Sequence, residues 1–287
     1  MRYILLLILS VFLTLVQAQY DCVNGEADGY ACSNVDLLSH LSLGELGGPN
    51  GANDIWGWVD SFNNDAYALL GLETGTAFVR ITDPVNPLVI GYLGTHSSAS
   101  LWRDIKVYND HAFIVSEASG HGLQVFDLTQ LRNYNGNNPV SFFETAHLGT
   151  FGNAHNIVIN EDSGYAYVVG ANVCSGGLYI VDIQNPSSPN YAGCYNQDGY
   201  THDSQCVIYD GIDSSYQGEE VCFSSNEDTV TITNVTDKNN TWTISANSYP
   251  GASYTHQGWI TEDHRYFLHN DELDEYYNGT NTRTYIW

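Results

Sequence analysis

An internal repeat of about fifty residues constrains this chain more than any other feature. Three histidines mark one phase of it: His155 in Ala-His-Asn, His202 in Thr-His-Asp and His256 in Thr-His-Gln. Each stands just before a short apolar run. Asn53-Asp54 and Arg103-Asp104 match them in phase, and the successive gaps are 50, 52, 47 and 54 residues. Self-similarity at such a period marks a repeat architecture, in which each unit buries its apolar faces against its neighbours.

Inside a repeat, short alternating runs are separated by turn residues, and each run reads as a strand. In the second repeat the runs are 104–108, 111–116, 123–128 and 140–144. In the third they are 156–159, 165–169, 177–182 and 190–194. The third strands share a phrase that ends in Asp or Asn before a turn: Phe78-Val-Arg-Ile-Thr-Asp, Leu123-Gln-Val-Phe-Asp, Leu178-Tyr-Ile-Val-Asp and Val230-Thr-Ile-Thr-Asn. No helical periodicity competes with this pattern. Four antiparallel strands per repeat, stacked radially, make a β-propeller. Solenoid coils are shorter, roughly 20 to 30 residues. The predicted fold is therefore all-β, a propeller of about five four-stranded antiparallel blades over 53–287. The lead, 19–52, carries a candidate blade-closing strand at 35–44. The last repeat stops in mid-strand at Trp287, so the expectation is a chain cut short of a larger propeller.

The first eighteen residues read as a secretory signal. Arg2 supplies the charged start, 4–16 is apolar, and Val16-Gln17-Ala18 is a small-residue cleavage site. An oxidising compartment then makes the six cysteines a disulfide framework with 15 formal pairings. Local geometry favours one of them. Cys22 and Cys32 flank a glycine-bearing loop, Cys206 and Cys222 are placed as cross-strand partners, and Cys174 and Cys194 fall at one end of the third repeat. Asn234, Asn239 and Asn278 begin N-x-[ST] sequons and are candidate glycan acceptors. No second apolar stretch is long enough to span a bilayer. Eight Lys and Arg against 33 Asp and Glu argue against nucleic acid and anionic membrane surfaces, both of which need clustered cations.

Several phrases carry a family resemblance: Gly29-Tyr-Ala-Cys-Ser-Asn-Val-Asp, Asn53-Asp-Ile-Trp-Gly-Trp, Leu101-Trp-Arg-Asp-Ile-Lys-Val, His121-Gly-Leu-Gln-Val-Phe-Asp, Thr201-His-Asp-Ser-Gln-Cys and Asn270-Asp-Glu-Leu-Asp-Glu. From about Cys22 to Trp287 the chain resembles the secreted choice-of-anchor B family, whose members carry LVIVD-type β-propeller repeats. The resemblance implies a secreted or surface-displayed propeller, attached through different C-terminal anchors in different members. It implies no particular reaction.

Radial stacking brings residues of equal phase to one axial mouth. The candidate metal ligands are His155, His202, His256, Asp104, Asp203, Asp271 and Glu272. Glu73, Glu117, His121, Trp102 and Trp259 are candidate ligand-binding residues from neighbouring loops and strand starts. Carboxylates suit Ca²⁺, and imidazoles with a carboxylate suit Zn²⁺ or another transition metal. A second use fits the same phase: a polar residue at a strand start can hydrogen-bond the neighbouring blade. The sequence holds no Gly-x-Ser-x-Gly elbow, no His-Glu-x-x-His and no phosphate-cradling loop. Two functions therefore stand: extracellular binding of a protein or carbohydrate around a cation, and metal-dependent hydrolysis of a lactone or ester by the same cluster.

Overall fold

The computed structural model describes residues 19–287 apart from 49, 135 and 137. The segment read as a signal, 1–18, lies outside the described residues. The lead is closed by a Cys22–Cys32 disulfide around a small hairpin of β1 (Glu26–Ala27) and β2 (Tyr30–Ala31).

Five antiparallel sheets follow. Blade I contains β3 (Ala52–Val59), β4 (Ala66–Leu72), β5 (Gly75–Arg80) and β6 (Leu88–Gly94). Blade II begins with β7 (Arg103–Tyr108), β8 (His111–Ser116) and β9 (Leu123–Asp127). Its outer strand differs from the sequence expectation at 140–144. There, β10 (Val140–Phe142) crosses to pair in parallel with β6 of blade I, and β11 (Ala146–Leu148) completes blade II. Phe142 explains the crossing, because its ring packs against Phe78 of blade I and Phe126 of blade II. Blade III contains β12 (Asn156–Asn160), β13 (Tyr165–Val169), β14 (Leu178–Asp182) and β15 (Asn190–Tyr195). Blade IV contains β16 (Asp203–Ile208), β17 (Glu220–Asn226), β18 (Thr229–Asn234) and β19 (Trp242–Asn247). Blade V has three strands, β20 (Thr255–Ile260), β21 (Phe267–Asp271) and β22 (Thr284–Ile286), with a short helix α1 (Asp274–Asn278) before the last.

A blade between two others is buried on both faces, so its middle strands read as nearly unbroken apolar runs. One core joins blades I and II through Trp58, Phe78, Ile105, Ile114 and Phe126. The next joins II and III through Phe113, Val125, Ile157 and Val181. Val158, Tyr167, Ile180 and Tyr195 pack between III and IV, and Phe223 stacks on Phe267 between IV and V. Each such fully buried side chain contributes about 1.5–3 kcal/mol. The close approach also demands Gly193 on β15, where a Cβ would lie 1.8 Å from the Lys238 carbonyl oxygen.

The two end blades keep exposed apolar rows. Trp259, Leu268 and Ile286 stand opposite one another across blade V, and Ile55 and Val59 lie on the first strand of blade I. The lead covers part of the blade I face, with Leu41 and Leu46 on Leu72, Ala77 and Val79. It does so without forming the closing strand expected at 35–44. Leu37 instead exchanges two backbone hydrogen bonds with Tyr20. The other two disulfides are those expected. Cys206–Cys222 joins directly paired residues of β16 and β17, and Cys174–Cys194 ties the turn between β13 and β14 to β15. No helix among the described residues is long and apolar enough to cross a membrane.

Candidate metal centre

The inner strands β3, β7, β12, β16 and β20 wall an axial cavity of about 520 Å³. Hydrogen bonds between neighbouring inner strands set their register. Asp54 accepts from the Ile105 amide at 3.0 Å, Asp104 from the Ile157 amide at 2.7 Å, and Gln205 from the Ile260 amide at 2.7 Å.

At the mouth of this channel the three repeat histidines meet. The His155 and His202 rings are 4.4 Å apart between centroids, and His202 and His256 are 4.3 Å apart. Each imidazole comes from a different blade at the start of its inner strand. His202 Nδ1 donates to the His256 carbonyl at 2.9 Å, which leaves its Nε2 lone pair free. His155 Nδ1 lies 2.6 Å from Glu117 Oε1, a carboxylate that fixes the ring from behind. Glu272 reaches to 3.9 Å from His256 Nε2. One ligand atom each from His202, His256 and Glu272 lie within 4.8 Å of one another, and no other such group of three occurs among the described residues.

Burial favours the neutral form of the His202 and His256 rings. His202 is pushed down to about 4 by burial, helped by the neighbouring His155 and His256. Burial also lowers His256, against the pull of Glu272. A neutral imidazole with a free nitrogen is the form that binds a metal.

The other predicted residues divide. Glu117 and Glu272 belong to the mouth, and Trp102, 47% exposed, stands with its ring 6.3 Å from that of His155. Asp104 and Asp203 do not join the histidines. They line the cavity below with Asp54 and Lys106, and the Lys106 ammonium sits 2.6 Å from Asp104. Burial raises Asp203 to about 6, and burial with the charge of Asp104 raises Asp54 to about 7. Asp271 is a loop staple that accepts from the Tyr249 hydroxyl and the Ser253, Tyr254 and Leu273 amides. Burial alone would raise it, but those bonds hold it below its ordinary value. Glu73 accepts from Asn50 of the lead. His121 is fully buried in another cluster, between Arg103 Nη1 at 2.9 Å and the Gly122 carbonyl at 3.0 Å. Trp259, 62% exposed, lies further down the cavity wall on the open face of blade V.

Two residues at the mouth escaped the sequence reading. Tyr200 is raised to about 12 by burial and by Glu117 and Glu227. Tyr254 meets the His202 ring edge-on at 5.5 Å and is raised by burial and by Glu227. The signal was present, because the phrase Tyr-Thr-His occurs at both 200–202 and 254–256.

Among the sequons, Asn239 and Asn278 are exposed. Asn234 is 6% exposed, and its carbonyl oxygen accepts from the Thr236 amide.

Comparison with known proteins agrees with this architecture. The LVIVD repeat family matches residues 151–197, the span of blade III, whose third strand reads Leu-Tyr-Ile-Val-Asp. No curated protein sequence matches the chain. Among solved structures, a proposed phosphatase from Bacteroides thetaiotaomicron superposes with a TM-score of 0.52 at 11% identity, over 82% of this chain and 60% of that one. The periplasmic gluconolactonase of Pseudomonas aeruginosa gives 0.49 at 10% identity, over 82% and 72%. The Cps50 (Swd1) β-propeller domain of Myceliophteria thermophila gives 0.47 at 10%, over 75% and 62%. The chain thus spans less than two thirds of the first and third of these structures. At such identities the likeness concerns the fold alone. The chain is a β-propeller that carries an LVIVD repeat.

Proposed function

We propose that this is a secreted propeller that binds an extracellular protein or carbohydrate at its axial mouth, around a divalent transition metal held by His202, His256 and Glu272. The observation that carries this reading is the convergence of those three ligand atoms within 4.8 Å from blades IV and V. Imidazole donors favour Zn²⁺ or a related ion over Ca²⁺, which prefers oxygen. His155 stands beside them with Nε2 free, as a fourth ligand or as the neighbour of an open position. The Glu117 carboxylate behind His155 is the outer partner that metal-binding histidines commonly have. Glu117, Glu227 and Glu272 surround the mouth, and the basic Arg103 nearby is buried. Uncharged or cationic ligands therefore suit it better than anionic ones.

The test is metal content and calorimetric titration of the mature protein. One transition-metal ion per chain is expected, lost in His202→Ala and His256→Ala and retained in Asp104→Asn. A wild-type protein that takes up Ca²⁺ but neither Zn²⁺ nor Mn²⁺ sinks the assignment. The place beside His155 gives a second reading some support, since a metal with an open position there would activate a bound water, with Glu117 orienting the His155 ring from behind. Turnover of esters, lactones or glycosides that disappears on chelation and in Glu117→Gln would make the protein a hydrolase.

A further inference from the structure

A second cleft lies on blade IV, at the end of the blade opposite the histidines. It opens between the β16–β17 connection and the turn from β18 to β19, and its volume is about 320 Å³. Tyr216 and Trp242 form its aromatic wall, with ring centroids 6.1 Å apart and a tilt of 44°. Glu219, Thr236, Asp237 and Asn240 supply the polar wall. The rim is preset by local bonds: Asp237 accepts from the Asn239 amide at 3.0 Å, and the Asn234 oxygen accepts from the Thr236 amide at 3.0 Å. Trp242 remains 42% exposed, although it stands in a sheet.

The wall chemistry narrows the occupant. No Lys or Arg lines the cleft, and two carboxylates do, which disfavours phosphate, sulfate and acidic sugars. No metal-ligating group of three occurs there among the described residues. A buried apolar side chain would leave the carboxylates and amides without partners. A sugar ring satisfies both walls, because its C–H face stacks on an indole while its hydroxyls donate to carboxylates and accept from amides. The volume falls at the small end of ligand pockets, roughly 300–1,000 Å³.

We infer that this cleft binds an uncharged sugar unit of a glycan, stacked on Trp242 and hydrogen-bonded by Asp237, Glu219 and Asn240. The site owes nothing to the metal at the mouth and does not depend on it. The experiment uses the whole mature protein in chelator and titrates neutral gluco-, manno- and galacto-oligosaccharides, followed by tryptophan fluorescence and calorimetry. One neutral series is expected to bind, with the same affinity in His202→Ala as in wild type. Trp242→Ala should weaken it by at least about tenfold, Asp237→Asn should weaken it, and Trp242→Phe should retain part of it. Near-UV circular dichroism confirms that each variant is folded. Failure of every neutral series to bind folded wild type overturns the inference. So does undiminished binding by Trp242→Ala, or a preference for uronic acid oligomers. Loss of binding in His202→Ala alone would assign the sugar to the mouth and equally overturn it.

Discussion

Replacing Glu220 by Ala tests what holds blades III and IV together. The Glu220 carboxylate is buried at the base of that junction. Oε1 accepts from Asn160 Nδ2 at 2.7 Å, Ser163 Oγ at 2.7 Å and the Tyr167 hydroxyl at 2.6 Å. Oε2 accepts from Lys238 Nζ at 2.5 Å, and that ammonium also sits 4.3 Å from the centre of the Tyr165 ring. Truncation leaves three neutral donors without this acceptor and a buried cation with only the Val235 carbonyl, at 2.8 Å, in place of its carboxylate. Removing one partner of a buried ion pair costs about 3–5 kcal/mol. Orphaned neutral donors cost about 1–3 kcal/mol each when nothing relaxes. Ser163 is only half-buried and can turn to water, and Lys238 keeps the Val235 carbonyl, so the low end of each figure applies and the expected loss is about 5 kcal/mol, measured from the urea midpoint and slope. Glu220→Gln preserves the shape and loses the charge, and should cost about 2 kcal/mol. The double change Glu220→Leu with Lys238→Met should recover only the ion-pair part of the loss, because it removes the orphaned charge while Asn160 and Tyr167 still lack their acceptor. An Ala variant within about 1 kcal/mol of wild type, or a double variant as unstable as Glu220→Ala, would refute this account.

His121, pushed down to about 4 chiefly by burial, resists protonation in the fold, whereas the unfolded chain takes up the proton near 6.5. Its contribution is therefore level above pH 6.5 and falls by about 3 kcal/mol as the pH drops to 4. His121→Gln, which can still meet Arg103 and the Gly122 carbonyl, should flatten that acid limb in thermal melts. Asp54 has the opposite sign: its raised value means that the fold holds a proton the unfolded chain has lost, so stability declines as pH rises from about 4 to 7. Asp54→Asn should match wild type near pH 4 and exceed it increasingly up to pH 7, and a gap that narrows with rising pH would refute the sign. In protein secreted from a eukaryotic host, peptide mass spectrometry should find glycan on Asn239 and none on Asn234.

The propeller was legible because blade strands are covered on both sides, so apolar runs of fixed length recur at a fixed period. Strand partners were less legible. Val140-Ser-Phe has the pattern of an outer strand, yet pattern alone does not say which sheet's edge it meets, and Phe142 draws it to blade I. The closing segment failed similarly: Leu41 and Leu46 found an apolar face without joining a ladder. The histidine cluster was legible from phase, but the aspartates assigned with it were not. Asp104 and Asp203 follow the histidine phase by one residue, and successive side chains of a strand point to opposite sides. A shift of one position therefore sends them from the mouth into the cavity. Asp271 ends β21, where loop amides claim both of its oxygens.

The same alternation joins the two uses that the repeat phase allowed. At that phase Asn53 donates to the Arg103 carbonyl at 3.2 Å, and His202 donates to the His256 carbonyl at 2.9 Å. Both bonds tie one blade to the next. An asparagine in this role has spent its donor and keeps only an amide oxygen. A histidine in the same role has spent Nδ1 and still offers Nε2, with its tautomer now fixed. The structural bond thus prepares the ligand, because it aims the ring and keeps the proton off the nitrogen that faces the mouth. His202→Asn separates the two uses. It can keep the inter-blade bond that Asn53 and Asn156 make, so its stability should remain close to that of wild type while metal uptake is lost. If Asn at this position retained the metal, the imidazole would be serving the blades alone.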